Sequence, residues 1–135
     1  MSGIDWIRQW LDKAENDLLA ANRLFHDYHP KQLDISGYHC QQAAEKALKA
    51  VIISFDLAED VPRTHDLELL LELCLALDKG FELFRTACFS LNPMATRTRY
   101  PDGYELTEAD VEAALHAAQR IVDFCAAKIM QKEES

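Results

Sequence analysis

Apolar residues recur every three or four positions along most of this 135-residue chain, the pattern of helices that bury one face. The first run extends from Asp5 to about Tyr28, and His29-Pro30 ends it because a residue before proline avoids the helical conformation. With only four Gly and four Pro, the chain lacks the turn residues that a many-stranded sheet protein needs. The sequence predicts an all-α fold, an up-and-down bundle of four to five helices in one domain over residues 1–135. The further helices are expected at about 35–57, 67–77, 81–91 and 107–130.

Short polar residues mark the expected helix starts. Asp34 or Ser36 is placed to cap the second helix, and Thr64 to cap the third. Thr107 precedes the last helix with Asp110 three residues on, in the position of a capping box.

The second and third helices show two unusual faces. One face of the second helix carries small side chains, those of Ala43, Ala44 and Ala47, which predicts a close crossing with another helix. The third helix is so rich in leucine that its apolar residues cover more than one face. Part of that surface is therefore expected to meet something besides the local core.

The net charge of −9 limits the ways in which the chain can contact nucleic acid. Binding through the phosphate backbone normally needs a basic surface. Contact with RNA or a nucleotide must therefore come from a local cluster of cations, or from a basic partner that the acidic surface attracts.

The four cysteines have no C-x-x-C spacing and lie on or beside apolar stripes, so they are predicted to be reduced core thiols. His26 and His29 lie at one helix end without an evident third ligand, and the sequence predicts no metal and no cofactor. No apolar run approaches the roughly 20 residues of a membrane span, and the N-terminal stretch does not resemble a signal peptide. A cytoplasmic location without membrane contact is expected.

The segment 97–104 combines cations with aromatic rings. Arg97 and Arg99 stand beside Tyr100, Asp102 and Tyr104, and a Pro-Asp-Gly turn lies between the tyrosines. Arginine binds phosphate and tyrosine stacks on bases, so the segment suits a nucleotide or single-stranded RNA. The same residue types are enriched at protein interfaces, and the sequence leaves contact with a partner protein open.

Two further groups offer polar side chains. Gln42 and Lys46 are one turn apart on the second helix and could contact a phosphate or a base edge, although a solvated face with a Glu45–Lys49 ion pair explains the same pattern. Arg63 and His65 lie at the start of the third helix and could supply a cation and a base to a bound nucleotide or RNA. Alternatively, His65 is an ordinary residue of the first helical turn. Metal-free RNA cleavage needs a base and a cation, and the candidates for these roles are His65, His39 and Arg99.

The segment 38–52, YHCQQAAEKALKAVI, resembles the signature helix of the HEPN family. The segment THDL at 64–67, RYP at 99–101 and the long alanine-rich last helix agree with it in order and separation. The resemblance implies a helical bundle that usually dimerises and that is often encoded beside a minimal nucleotidyltransferase as a toxin–antitoxin pair. Other branches of the family are metal-free ribonucleases with an Arg and a His four to six residues apart near a late helix. This chain lacks that late motif, because the next histidine after Arg99 is His116.

The sequence therefore favours a dimeric interaction module associated with a nucleotide or RNA, acting as the partner of a minimal nucleotidyltransferase. A metal-free endoribonuclease toxin and a stand-alone nucleotide-binding module are the alternatives. The absence of the late motif favours a domain that is not an enzyme.

Overall fold

The computed structural model describes residues 3–96 and 103–134, and these form five α-helices without a strand. The predicted all-α helical bundle is confirmed. Two 3-10 turns, Lys79–Phe84 and Asn92–Ala95, flank the fourth helix, which is therefore shorter than predicted. The helices are α1 Gly3–His26, α2 Leu33–Ser54, α3 Leu67–Leu75, α4 Arg85–Leu91 and α5 Glu108–Glu134.

Helix α2 lies at the centre of the bundle. It packs most extensively against α1 and α5, and also against α3. Its alanine face is fully buried, as expected for a helix that others approach closely. The hydroxyl of Ser36, a predicted candidate cap, donates instead to the carbonyl of Ala21 at 2.8 Å and joins α2 to α1. Gly37 allows Met94 and Leu106 to approach, since a Cβ there would lie 3.2 Å from an atom of each.

The helix starts agree only in part with the sequence prediction. Helix α2 begins at Leu33, and its capping residue Gln32 makes no side-chain hydrogen bond to the helix. Asp66 caps α3 by accepting the N–H of Glu68 at 2.9 Å, so the prediction that Thr64 caps this helix is wrong. Thr64 accepts the N–H of Asp66 and stabilises the turn before the helix. Because polar residues stand next to one another here, local sequence alone does not choose between them.

The capping box of α5 is confirmed. The side chain of Asp110 accepts the N–H of Thr107 at 2.9 Å, and the hydroxyl of Thr107 accepts the N–H of Asp110 at 3.1 Å. Both bonds satisfy N–H groups that the first turn of a helix leaves without intrahelical partners.

Helices α3 and α4 form an antiparallel hairpin with polar ties at both ends. The side chain of Asn92 bonds to the carboxylate of Asp66 and also accepts the N–H of Leu67. Near the other end, the guanidinium of Arg85 lies 2.8 Å from the carboxylate of Glu72. The leucines of α3 are divided between the core and the surface, and Leu69 is exposed as the multi-faced pattern predicted.

All four cysteines are buried and unpaired, which confirms the prediction of reduced core thiols. Burial raises the pKa of Cys40, Cys74 and Cys88 to about 12, so these thiols stay protonated and unreactive at neutral pH. In the part of the chain that the structure describes, no helix is both long and apolar enough to cross a membrane.

Candidate functional site

Five polar residues of α2 form a continuous strip opposite its alanine face. At about 100° per residue they span less than half of the helix circumference. The sequence is compatible with a solvated face here, but most of the strip lies inside the molecule, with Gln41, Glu45 and Lys49 buried. We call these residues the α2 strip: Gln41, Gln42, Glu45, Lys46 and Lys49.

The connector that leads into α3 covers one edge of the strip. Residues 55–66 join α2 to α3, and the carbonyl of His65 accepts a hydrogen bond from the Gln41 side chain at 3.1 Å. The interpretation of Glu45 and Lys49 as a surface ion pair is therefore wrong. The pair exists, at 3.1 Å, but it is buried, and the connector lies beside it through the contacts of His65 with Gln41 and Glu45.

The carboxylate of Glu45 holds a cation and an imidazole together. One oxygen accepts from the Lys49 ammonium, and the other lies 3.0 Å from Nδ1 of His65. Only 5% of the Glu45 side chain is exposed, whereas 72% of the His65 side chain is. The buried carboxylate thus orients an imidazole whose Nδ1 is occupied and whose other face is in solvent.

A second carboxylate–imidazole pair lies at the other edge of the strip. The two oxygens of Asp17 on α1 contact Nδ1 of His39 at 2.8 Å and Nζ of Lys46 at 2.5 Å. About a quarter of each of these two side chains is exposed, 25% for His39 and 24% for Lys46. Asp17 itself is buried, although charged residues of an amphipathic helix usually lie on its solvated face. It lies at the border of the apolar stripe, so packing against α2 decides its burial.

Gln42 lies between the two edges, and its amide donates to the side-chain oxygen of Gln41 at 2.8 Å. The ring of Tyr38 meets the ring of His39 edge to face, with centroids 5.4 Å apart. His39, Gln42 and Lys46 therefore lie together on one partly exposed surface, as their spacing predicts. His65 approaches the strip from the opposite edge.

The remaining predicted residues lie elsewhere. Arg63 is exposed in the connector, two residues before His65. Tyr104 donates its hydroxyl to Asp110 at 2.6 Å, and this bond raises the pKa of Tyr104. The backbone N–H of Thr107, together with the Tyr104 hydroxyl, lowers the pKa of Asp110. Other predicted contact residues lie outside the described part of the chain: Arg97, Arg99, Tyr100 and Asp102.

Asp17 and Glu45 are the functional candidates that the sequence prediction missed. The sequence presents Glu45 only as one half of an ion pair. Their one signal in the sequence is that each stands beside apolar residues of an amphipathic helix, a position from which a carboxylate can turn inward. Within residues 3–96 and 103–134, no group of three potential ligands lies close enough together to hold a metal ion.

A separate groove of about 520 Å³ lies between α4 and α5. Small residues line it, with Ala109, Ala113 and Ala117 spaced by four on α5. Arg120 stands at one end, and Asp110 lies near the other, beside Tyr104. The groove is open to solvent and large enough to accept side chains of another helix.

Removing the Glu45 carboxylate is expected to destabilise the fold. In Glu45→Ala, Lys49 is left buried without its counter-charge, and breaking such a pair typically costs about 3–5 kcal/mol of unfolding free energy. Urea denaturation should measure this loss. Glu45→Gln keeps the volume and some hydrogen bonds and should lose less, and Glu134→Ala is the exposed control. Equal stabilities of Glu45→Ala and the wild type would contradict a stabilising role of the pair.

This chain is similar to solved structures and to a protein-family model. A search of curated proteins gave no match. ST0689, an archaeal HEPN homologue, superposes with a TM-score of 0.72 at 24% identity, covering 91% of this chain and 97% of its own. TT1696 from Thermus thermophilus superposes with a TM-score of 0.70 at 27% identity, covering 90% of this chain and 97% of its own. The model of the HEPN domain family matches residues 7–130. This match spans nearly all of the described helices, and the chain therefore belongs to the HEPN family.

Proposed function

We propose that this HEPN domain is a dimeric interaction module that associates with a nucleotide or RNA and partners a minimal nucleotidyltransferase in a toxin–antitoxin-type system. The observation that carries the nucleotide part is the pairing of His39 and Lys46 on the buried carboxylate of Asp17. Two potential cations are thereby held side by side on a partly exposed surface. Such a surface supplies a local anion site on a chain whose overall charge is −9.

The bound anion on this proposal is a phosphate of a nucleotide or of single-stranded RNA. Lys46 supplies an ammonium donor, and the amide of Gln42 lies one turn away on the same side of α2. Tyr38 beside His39 offers a ring on which a base can stack. Because Asp17 already neutralises part of the charge, binding is expected to be modest and to depend on salt.

Lys46→Met should weaken binding of a fluorescently labelled single-stranded RNA, measured by anisotropy. Loss of one charge-assisted hydrogen bond corresponds to about tenfold in affinity. Lys13→Met is the matched control, since it removes the same charge from an exposed position of α1. Equal losses in both variants would mean that RNA responds only to net charge, and the α2 strip would then not be the site.

The dimer is proposed to form through the groove between α4 and α5. Alanines four residues apart let a second helix approach closely, and an antiparallel copy of α5 would bring its Arg120 toward Asp110 at the far end of the groove. The two ends carry opposite charges, so the surface is complementary to itself in this orientation. Side chains as small as those of Ala113 and Ala117 also leave room for the partner helix.

Ala113→Arg should convert the dimer to a monomer in light scattering, because the new side chain fills the middle of the groove. Gln119→Arg adds the same charge on α5 at a position that does not line the groove, and it should leave the mass unchanged. The interaction-module hypothesis would be rejected if the wild-type protein is a monomer and its mass in light scattering does not increase when a minimal nucleotidyltransferase is added.

A metal-free endoribonuclease is the second candidate, favoured by the geometry of His65. Its Nδ1 is held by the buried Glu45, so Nε2 is the nitrogen that remains for a substrate. Nε2 would take the proton of a 2′-hydroxyl while the 2′-oxygen bonds to phosphorus and forms a 2′,3′-cyclic phosphate. The bond to the 5′-oxygen breaks, and this oxygen leaves as a hydroxyl after taking a proton from water. Arg63, two residues away, is the nearest cation in sequence for the charged intermediate.

His65→Ala should then slow cleavage of RNA in EDTA by about 10²- to 10⁴-fold, the usual contribution of a general base. His116→Ala, which removes an exposed imidazole on α5, is the control and should cleave at the wild-type rate. Intact RNA after incubation with excess wild-type protein would reject this candidate.

A thermal-shift panel of nucleotides tests the remaining alternative of a stand-alone binding module, because a specific ligand raises the melting temperature.

A further inference from the structure

The α3–α4 hairpin carries two facing rows of residues on its outer side. On the cap of α3 and the helix itself the row is Asp66, Leu69 and Glu72. Each is three residues from the next, and such spacing places side chains on one face of a helix. On α4 and the turn after it, the row is Arg85, Phe89 and Asn92. The rows run in opposite directions, so the first residue of one meets the last residue of the other.

Hydrogen bonds and an ion pair establish this alignment at both ends. Asn92 donates to Asp66 at 2.9 Å, and Arg85 lies 2.8 Å from Glu72. Leu69 and Phe89 occupy the middle of their rows, which places them side by side between the two polar ties. Their exposure is 56% and 66%, although leucine and phenylalanine each gain free energy on burial. We call this pair the hairpin apolar pair.

Acidic side chains lie at both ends of the hairpin apolar pair. Glu68 precedes Leu69, and the carboxylates of Glu72 and Glu82 both bond to the single guanidinium of Arg85. Two carboxylates on one cation leave an excess of negative charge at this end, and Asp66 adds another carboxylate at the opposite end. An apolar centre with an acidic rim is complementary to a segment that presents apolar anchors between basic residues.

We infer that the hairpin apolar pair is a docking site for a basic amphipathic helix of another protein. Apolar side chains of that helix would cover Leu69 and Phe89, while its lysines or arginines would meet Glu68, Glu72 and Glu82. The acidic rim disfavours a second copy of this chain, because the two rims would repel each other. This inference specifies the kind of protein partner. It rests on one element of the proposed function, namely that the domain binds another protein.

The site is distinct from the proposed dimer groove. Thr86 and Ala87 line the groove on one side of α4, whereas Phe89 does not line it. A dimer through α4–α5 therefore leaves the hairpin apolar pair available to a different protein.

The test uses a labelled helical peptide with leucines on one face and flanking lysines. The wild-type protein should bind it, measured by anisotropy, and both Leu69→Ser and Phe89→Ser should weaken binding at least about tenfold, as expected for central apolar anchors. Leu19→Ser is the matched control, since Leu19 is an exposed leucine of α1. All three changes are at exposed positions, and circular dichroism should show that each variant remains folded.

Two companion peptides separate the contributions. Replacing the lysines by glutamates should abolish binding, and replacing the leucines by serines should weaken it as strongly as Phe89→Ser does. If the serine peptide binds as tightly as the leucine peptide, the interaction depends on charge alone and the inference is overturned. It is also overturned if all variants bind the leucine peptide as tightly as the wild-type protein does. Light scattering gives the last check. If Leu69→Ser or Phe89→Ser has half the mass of a dimeric wild-type protein, the surface binds a second copy of this chain and the inference is overturned.

Binding of RNA and the mass of Ala113→Arg report separately on the proposed function. The docking inference can therefore fail while RNA association and dimerisation through the groove hold. It can also hold if both of these fail.

Discussion

The burial of α2 on nearly all sides is the constraint on which the rest of the structure depends. A helix surrounded by α1, α3 and α5 gains close packing from its alanine face. It must also find partners for polar side chains that water cannot reach, because an unpaired buried charge is costly. Glu45 and Asp17 meet this requirement by each binding two nitrogen-bearing groups. The polar network and the close helix packing are two results of the same position at the centre of the bundle.

This network also places chemistry at the surface. Each buried carboxylate holds Nδ1 of a histidine that reaches solvent, His65 at one edge of the α2 strip and His39 at the other. The carboxylates thus serve stability and orientation together. Helix α1 supplies one of them and α2 the other, and the strip exists only when α1, α2 and the connector before α3 have come together.

Helix α4 separates two surfaces of different character. On one side the alanine-lined groove has opposite charges at its ends, which suits a second copy in antiparallel orientation. On the other side the exposed Leu69 and Phe89 lie between polar ties that carry the carboxylates of Asp66, Glu72 and Glu82, which suits a basic partner. A short helix of seven residues can present both surfaces because its flanks face away from each other and its buried residues, Cys88 and Leu91, hold it to the core.

Much of the fold follows from the sequence alone. Periodicity predicts the five helices, and the capping box of Thr107 and Asp110 is predicted correctly, because these are interactions between residues close in the chain. Spacing on one helix likewise predicts that His39, Gln42 and Lys46 share a surface. Only the tertiary structure decided the burial of Asp17, Glu45 and Lys49, the cap at Asp66 and the alignment of α3 with α4 through Asp66–Asn92 and Glu72–Arg85. Each of these depends on which distant segment packs against a helix face. An amphipathic pattern predicts that a face is buried, but it does not identify the segment that buries it.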